Sequence, residues 1–157
     1  MSIQDALIRV DGSGVYDLQL SDDGSDFASA GGFESAIPVS LFTDSRAPAS
    51  TVAEPRNRRG WLGNLLRLGQ NRELGGLLWL FEQGRITVDT LNGVKREVER
   101  SLRWMVQDGI VNNIAATVSV EDVRVIRVLI TFTGNDNAVS QYSVLWRRTV
   151  SANLASR

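Results

Sequence analysis

Thr87-Val88-Asp89-Thr90-Leu91-Asn92-Gly93-Val94-Lys95-Arg96-Glu97-Val98-Glu99-Arg100-Ser101-Leu102-Arg103-Trp104-Met105-Val106-Gln107-Asp108-Gly109 is the stretch that decides the fold. Leu91, Val94, Val98, Leu102 and Met105 recur at steps of three and four, which puts them on one face of a helix. Thr87 suits an N-cap and Gly109 a C-terminal stop, so the helix is predicted over about 88–107. Glu99 and Arg103, four residues apart, are expected on its solvated side as a weak pair. Past Gly109 the apolar period drops to two. Ile114, Ala116, Val118 and Val120 alternate with polar neighbours; so do Ile126, Val128, Ile130 and Phe132, and then Tyr142, Val144, Trp146 and Val150. That is the pattern of half-buried strands. Glu121-Asp122 and Gly134-Asn135-Asp136-Asn137 supply the turns, and consecutive strands on short turns make an antiparallel meander.

Working back from the helix, Leu74 to Phe81 is apolar nearly all round, predicting a short central helix over about 72–83 that ends at Gly84. Phe33, Ile37 and Leu41 fall every fourth residue, predicting another helix from about Ser35 with Pro38 in its first turn, where a missing N–H does no harm. Between these two helices lies a long loop at about 45–71, with Pro48, Pro55 and the arginines 46, 56, 58, 59 and 67. A loop of that length in a compact domain is a candidate for function. At the start, Ala6–Val10 and Val15–Leu20 are strand-like runs joined by Asp11-Gly12-Ser13-Gly14, the residues of a tight hairpin. The acids of Ser21–Asp26 lack the spacing and terminal glutamate of a calcium loop and read as a solvated turn. The expected fold class is α+β, one domain over residues 1–157. It comprises an N-terminal β-hairpin, three helices and a C-terminal three-stranded antiparallel meander, with the helices on one face of the sheet.

The 157 residues contain neither cysteine nor histidine. Disulfides, thiolate zinc sites and Ser-His-Asp chemistry are excluded, and the usual neutral-pH general base is missing. No metal, cofactor or enzymatic activity is expected. The longest apolar run is too short to span a bilayer, and Met1-Ser2-Ile3-Gln4-Asp5 does not open a signal peptide, so no membrane association is expected. Net charge is -1, but residues 1–55 hold nine acids against Arg9 and Arg46, whereas residues 56–157 hold fifteen bases against nine acids. Lys95 is the one lysine among seventeen basic residues. Arginine's planar fork favours bidentate pairing and stacking at interfaces.

Four blocks stand out in order: Ser40-Leu41-Phe42-Thr43-Asp44-Ser45-Arg46-Ala47, Arg58-Arg59-Gly60-Trp61-Leu62-Gly63-Asn64, Leu74-Gly75-Gly76-Leu77-Leu78-Trp79-Leu80 and Arg103-Trp104-Met105-Val106-Gln107-Asp108-Gly109-Ile110. From about Ala6 to Val120 the chain resembles the small baseplate wedge proteins of Mu-like contractile-tailed phages. That family is similar to the lysozyme-named wedge protein, or sheath initiator, of larger myophages. The resemblance implies a virion component of the tail baseplate, assembled in the host cytoplasm and present in several copies in a sixfold structure. Its implied partners are other baseplate wedge proteins, the tail sheath protein, and tail tube or hub proteins. In sheath initiators the C-terminal sheet imitates that of a sheath subunit and accepts strands from the first sheath ring. The wider family's Glu-Pro-Arg motif follows the long helix. Here Val106–Ile110 holds that place and Glu54-Pro55-Arg56 falls in the loop, so that motif's role is not transferred.

Arg58, Arg59 and Trp61 are candidate partner-binding residues, because an Arg-Trp loop is the composition of an interface hot spot. The same residues also fit a core anchor with arginines capping carbonyls, or a patch that binds phosphates and stacks a base. The sequence pI near 5.5 weighs against nucleic acid. Trp79 and Trp104 are expected in the core. Tyr142, Val144, Trp146, Arg147 and Arg148 are the candidate sheath-facing residues, on a last strand whose edge could take an added strand. The rival enzymatic reading, a peptidoglycan hydrolase, needs two carboxylates flanking a groove. Glu34, Asp44, Glu54, Glu73 and Glu82 are available, but none forms a recognisable dyad motif.

Overall fold

The computed structural model describes residues 35–66, 73–83 and 85–148, together with the backbone of four short strands before them. The chain forms two compact units, residues 1–75 and 76–157.

The four strands of the first unit are β1 (Asp5–Ala6), β2 (Ile8–Val10), β3 (Tyr16–Leu18) and β4 (Ser29–Ala30). β2 pairs antiparallel with β3, Ile8 opposite Leu18, and β1 pairs with β4. The hairpin turn expected at Asp11–Gly14, the polar turn Ser21–Asp26 and the apolar Phe33 lie outside the described residues. α1 (Ala36–Phe42) starts behind Ser35 with Pro38 in its first turn, as its sequence predicts. Ile37 and Leu41, four apart on one face, are each 1% exposed. After α1 the chain leaves and returns alongside itself. The Trp61 N–H donates to the Asp44 carbonyl at 2.8 Å, and the Ala47 N–H to the Arg58 carbonyl at 3.0 Å. The loop thus has a backbone ladder, a 3-10 turn at Pro55–Asn57 and a short helix, α2 (Gly63–Leu66). Gly75 closes this unit with φ +103 against the Thr43 carbonyl, where a Cβ would collide.

The helix expected over 72–83 is not formed. Only a 3-10 turn at Leu78–Phe81 remains, and Gly84 lies outside the described residues. Two physical reasons are visible. Gly75 takes a φ that no right-handed helix uses, and the Leu77 N–H is captured by the Glu97 carboxylate at 2.6 Å instead of a carbonyl one turn back. Leu78 is buried, while Leu77, Trp79, Leu80 and Phe81 are half-buried, so the segment is less central than its composition suggests. Trp104 is likewise half-buried.

α3 (Val88–Gln107) has the predicted bounds. Thr87 Oγ1 accepts the Thr90 N–H at 3.2 Å. At the other end the Gly109 N–H reaches the Val106 carbonyl (3.1 Å) and the Ile110 N–H the Met105 carbonyl (2.9 Å), a Schellman closure through Gly109 at φ +69. Val94, Val98, Leu102 and Met105 have no exposed surface, while Leu91 is half-buried. β5 (Asn113–Asp122), β6 (Val125–Thr133) and β7 (Val139–Arg147) form an antiparallel meander in the order β5-β6-β7. Ile126, Val128, Ile130 and Phe132 of the central strand are buried on its inner face, and α3 lies against β5. Each such side chain contributes roughly 2 kcal/mol by leaving water. On β5, Ala116 is buried, Ile114 and Val118 are half-buried, and Val120 is exposed beside a bulge at the hairpin end. The turn falls at Val123-Arg124 rather than at Glu121-Asp122, because β5 continues through both acids. On the outer face Arg127 grips Glu121 at 2.8 and 2.9 Å, holding that carboxyl below its ordinary pKa by hydrogen bonding and by charge.

Glu97 is the group most dependent on this packing. Its carboxylate, 8% exposed as a residue, accepts from the Leu77 N–H, from Arg100 at 2.6 and 2.8 Å, and from Ser101 Oγ at 3.2 Å. Glu97→Ala leaves a partly buried N–H unpaired and should lower the unfolding free energy by about 2 kcal/mol. Arg103→Ala, on the exposed face, should stay within about 0.5 kcal/mol. Urea denaturation of the whole chain measures both.

Candidate partner-binding surfaces

The arginines of the long loop are held by its own backbone. Arg58 donates from Nε to the Val52 carbonyl (2.8 Å) and from a terminal nitrogen to the Ala53 carbonyl (3.0 Å). Arg46 bridges the Arg59 and Pro55 carbonyls at 3.3 and 3.2 Å. Arg59 pairs with Asp44, and Arg56 with Glu54, both at 3.3 Å. Arg59 (φ 47) and Gly60 (φ 117) take successive positive φ values, and a non-glycine residue there holds roughly 1 kcal/mol or more of strain. This reversal delivers Trp61 to the start of α2. The indole lies over the Gly63 Cα, where a Cβ would overlap its six-membered ring. Asn64 then fixes α2 by a paired amide contact with Leu74, donating to its carbonyl (2.9 Å) and accepting its N–H (3.0 Å).

Trp61 is 42% exposed, and Leu62, Leu65 and Leu66 are 67%, 63% and 77% exposed. Leu62, Leu65 and Leu66 thus stand at the surface, and Trp61 is placed half in and half out of the loop.

The second candidate group lies on β7. In an antiparallel strand, successive residues point their N–H and C=O to opposite sides. The Gly134 N–H to Ala138 carbonyl and Arg148 N–H to Arg124 carbonyl bonds, both 2.8 Å, bracket the β6–β7 ladder. They place the even-numbered residues of β7 towards β6. Gln141, Ser143, Leu145 and Arg147 therefore turn their backbone groups outward and their side chains onto the exposed outer face. Tyr142, Val144 and Trp146 face inward, half-buried, buried and 8% exposed respectively, as the alternation predicts. Arg147 is exposed. Arg148 is 4% exposed, its Nε donating to the Phe81 carbonyl at 2.7 Å. Val150 lies outside the described residues.

The other edge of the sheet is treated differently. On β5 the Ala116 N–H points away from β6 and donates to Glu99 Oε1 at 3.0 Å. Glu99 is therefore half-buried and bound to backbone rather than solvated beside Arg103, because the β5 edge approaches this turn of α3. Sequence reasoning missed both Glu97 and Glu99. Glu97 and Ser101 had a signal, since they fall at helical spacing beside the apolar stripe.

Of the acids considered for hydrolysis, Asp44 and Glu54 sit beside Arg59 and Arg56, and Glu34 lies outside the described residues. Among the described residues no three acids gather to hold a metal ion, and no helix is long and apolar enough to cross a membrane.

A family model described as phage protein GP46 matches residues 33–139. The chain is similar to the baseplate protein gp46 of Escherichia phage Mu, 32% identical over 111 residues, covering 69% of this chain and 72% of that protein. The family match takes in the Arg-Trp loop, α3 and the first two strands of the meander, and stops at the first residue of β7.

The contrast between the two final arginines can be measured. Arg148→Ala should cost about 2 kcal/mol of stability, because it leaves the Phe81 carbonyl without its charged donor. Arg147→Ala should leave thermal unfolding nearly unchanged, within about 0.5 kcal/mol.

Proposed function

The chain belongs to the phage GP46 family, and from that premise we propose that it is a structural, non-enzymatic subunit of a contractile-tail baseplate wedge. In this reading it docks inner baseplate proteins through the Arg-Trp loop. It starts sheath assembly by accepting a strand along β7, in a virion baseplate put together in the host cytoplasm. The name of the Mu relative, a baseplate protein, supports the baseplate role. One observation carries the strand-sharing step. The β5 edge is engaged by Glu99, whereas among the described residues β7 pairs with β6 alone. An edge with aligned N–H and C=O groups accepts a strand with little ordering cost, since the backbone already has the extended conformation.

Proline at an outward position removes a donor that the domain does not use, and proline is tolerated on edge strands for that reason. Ser143→Pro and Leu145→Pro should leave thermal unfolding and wedge assembly intact while electron microscopy shows baseplates and tubes without ordered sheath. Val144→Pro, which removes a bond to β6, should unfold the sheet instead. Ordered sheath on Ser143→Pro and Leu145→Pro baseplates would exclude strand addition at β7.

The docking step predicts that Trp61→Ala weakens binding to the wedge by about 2 kcal/mol or more while the melting transition persists. Loss of that transition would mark Trp61 as an anchor of the fold instead. For the rival hydrolase reading, purified protein should release no more material from peptidoglycan than buffer does.

A further inference from the structure

Resting on the reading of the Arg-Trp loop as a wedge interface, we propose that its partner there is an acidic amphipathic helix of another baseplate protein. Trp61, Leu62, Leu65 and Leu66 form one exposed apolar ridge. Single exposed leucines are ordinary, but a contiguous group with an aromatic residue marks an interaction surface. Leu62, at the start of the single turn of α2, and Leu65 and Leu66, at its end, fall at i, i+3 and i+4 and make a short ridge that fits against the apolar face of a partner helix. Beside the ridge is a cavity of about 60 Å³ whose walls include Arg46, Arg59, Trp61, Leu65 and Glu73, so the apolar ridge and the arginines border one hollow.

The charge of the partner follows from how the arginines are held. Arg56 and Arg59 face carboxylates, but the side chains of Arg46 and Arg58 donate to main-chain carbonyls. A carbonyl satisfies the hydrogen bond and leaves the full positive charge uncompensated. Among the described residues no carboxylate lies within ion-pair distance of either guanidinium. Both are already ordered by the loop, so an incoming carboxylate meets a fixed cation and little side-chain freedom is lost on binding. A basic or neutral segment would bury these charges without a counterion, which is strongly unfavourable. A nucleic acid would meet the charges but set phosphates against the three leucines.

The test places a photo-reactive benzophenone amino acid at Leu65 in assembled tail particles and identifies the cross-linked peptide by mass spectrometry. The expected peptide belongs to a different chain, carries an excess of Asp and Glu, and has apolar residues every three to four positions. Arg58→Gln keeps a donor for the Val52 carbonyl but removes the charge, and should lower the cross-link yield about tenfold with the melting transition unchanged. Leu66→Ser, at a position 77% exposed, should do the same without reaching the fold. Cross-linking to a neutral or basic segment of another baseplate protein would overturn the acidic-helix proposal and leave the wedge interface standing. Cross-linking to a second copy of this chain or to nucleic acid would overturn the proposal, and absence of any cross-link in intact tails would overturn both.

Discussion

A three-stranded sheet has two faces and two edges, and one helix can cover only one of each. α3 settles which. Its apolar stripe from Val94 to Met105 is buried, as is the inner face of the central strand, and the Glu99 carboxylate on the same helix takes a backbone donor of the β5 edge. The outer face and the β7 edge keep their side chains and backbone groups turned outward. The same helix holds the segment before it, since the Glu97 carboxylate collects the Leu77 N–H together with Arg100 and Ser101. A buried carboxylate would be a liability alone, but four hydrogen bonds satisfy its lone pairs and make it an organising point.

The Arg-Trp loop works by a different economy of contacts. It buries few apolar side chains, so its order comes from backbone pairing between 44–47 and 58–61, arginine side chains on carbonyls, and one asparagine amide. Hydrogen bonds of this kind position groups without covering them. The loop therefore presents a tryptophan and three leucines at the surface on a hydrogen-bonded backbone, an arrangement suited to a binding surface built on a loop.

Much of the second unit was legible because local rules and tertiary packing agree there. The bounds of α3 follow from Thr87 and Gly109, and the alternation from Asn113 to Arg147 predicts both the strands and which residues face inward. The segment from 72 to 83 departs from the helix its apolar residues suit, because Gly75 takes a positive φ and Glu97, twenty residues on, holds the Leu77 N–H. At the candidate sites, Arg59, Trp61 and Arg147 are exposed, while Arg58 is half-buried against the Val52 and Ala53 carbonyls. Arg148 is buried, and its burial depends on the Phe81 carbonyl, 67 residues away in the chain.

Periodicity and capping residues are properties of neighbouring residues, so the sequence by itself determined the long helix, the meander and the inward faces of its second and third strands. The opposite fates of the two sheet edges, the roles of Glu97 and Glu99, and the difference between Arg147 and Arg148 were decided only by the tertiary structure. Each depends on a hydrogen bond between groups far apart in the chain, and no local pattern encodes which distant carbonyl or N–H will arrive beside a given side chain.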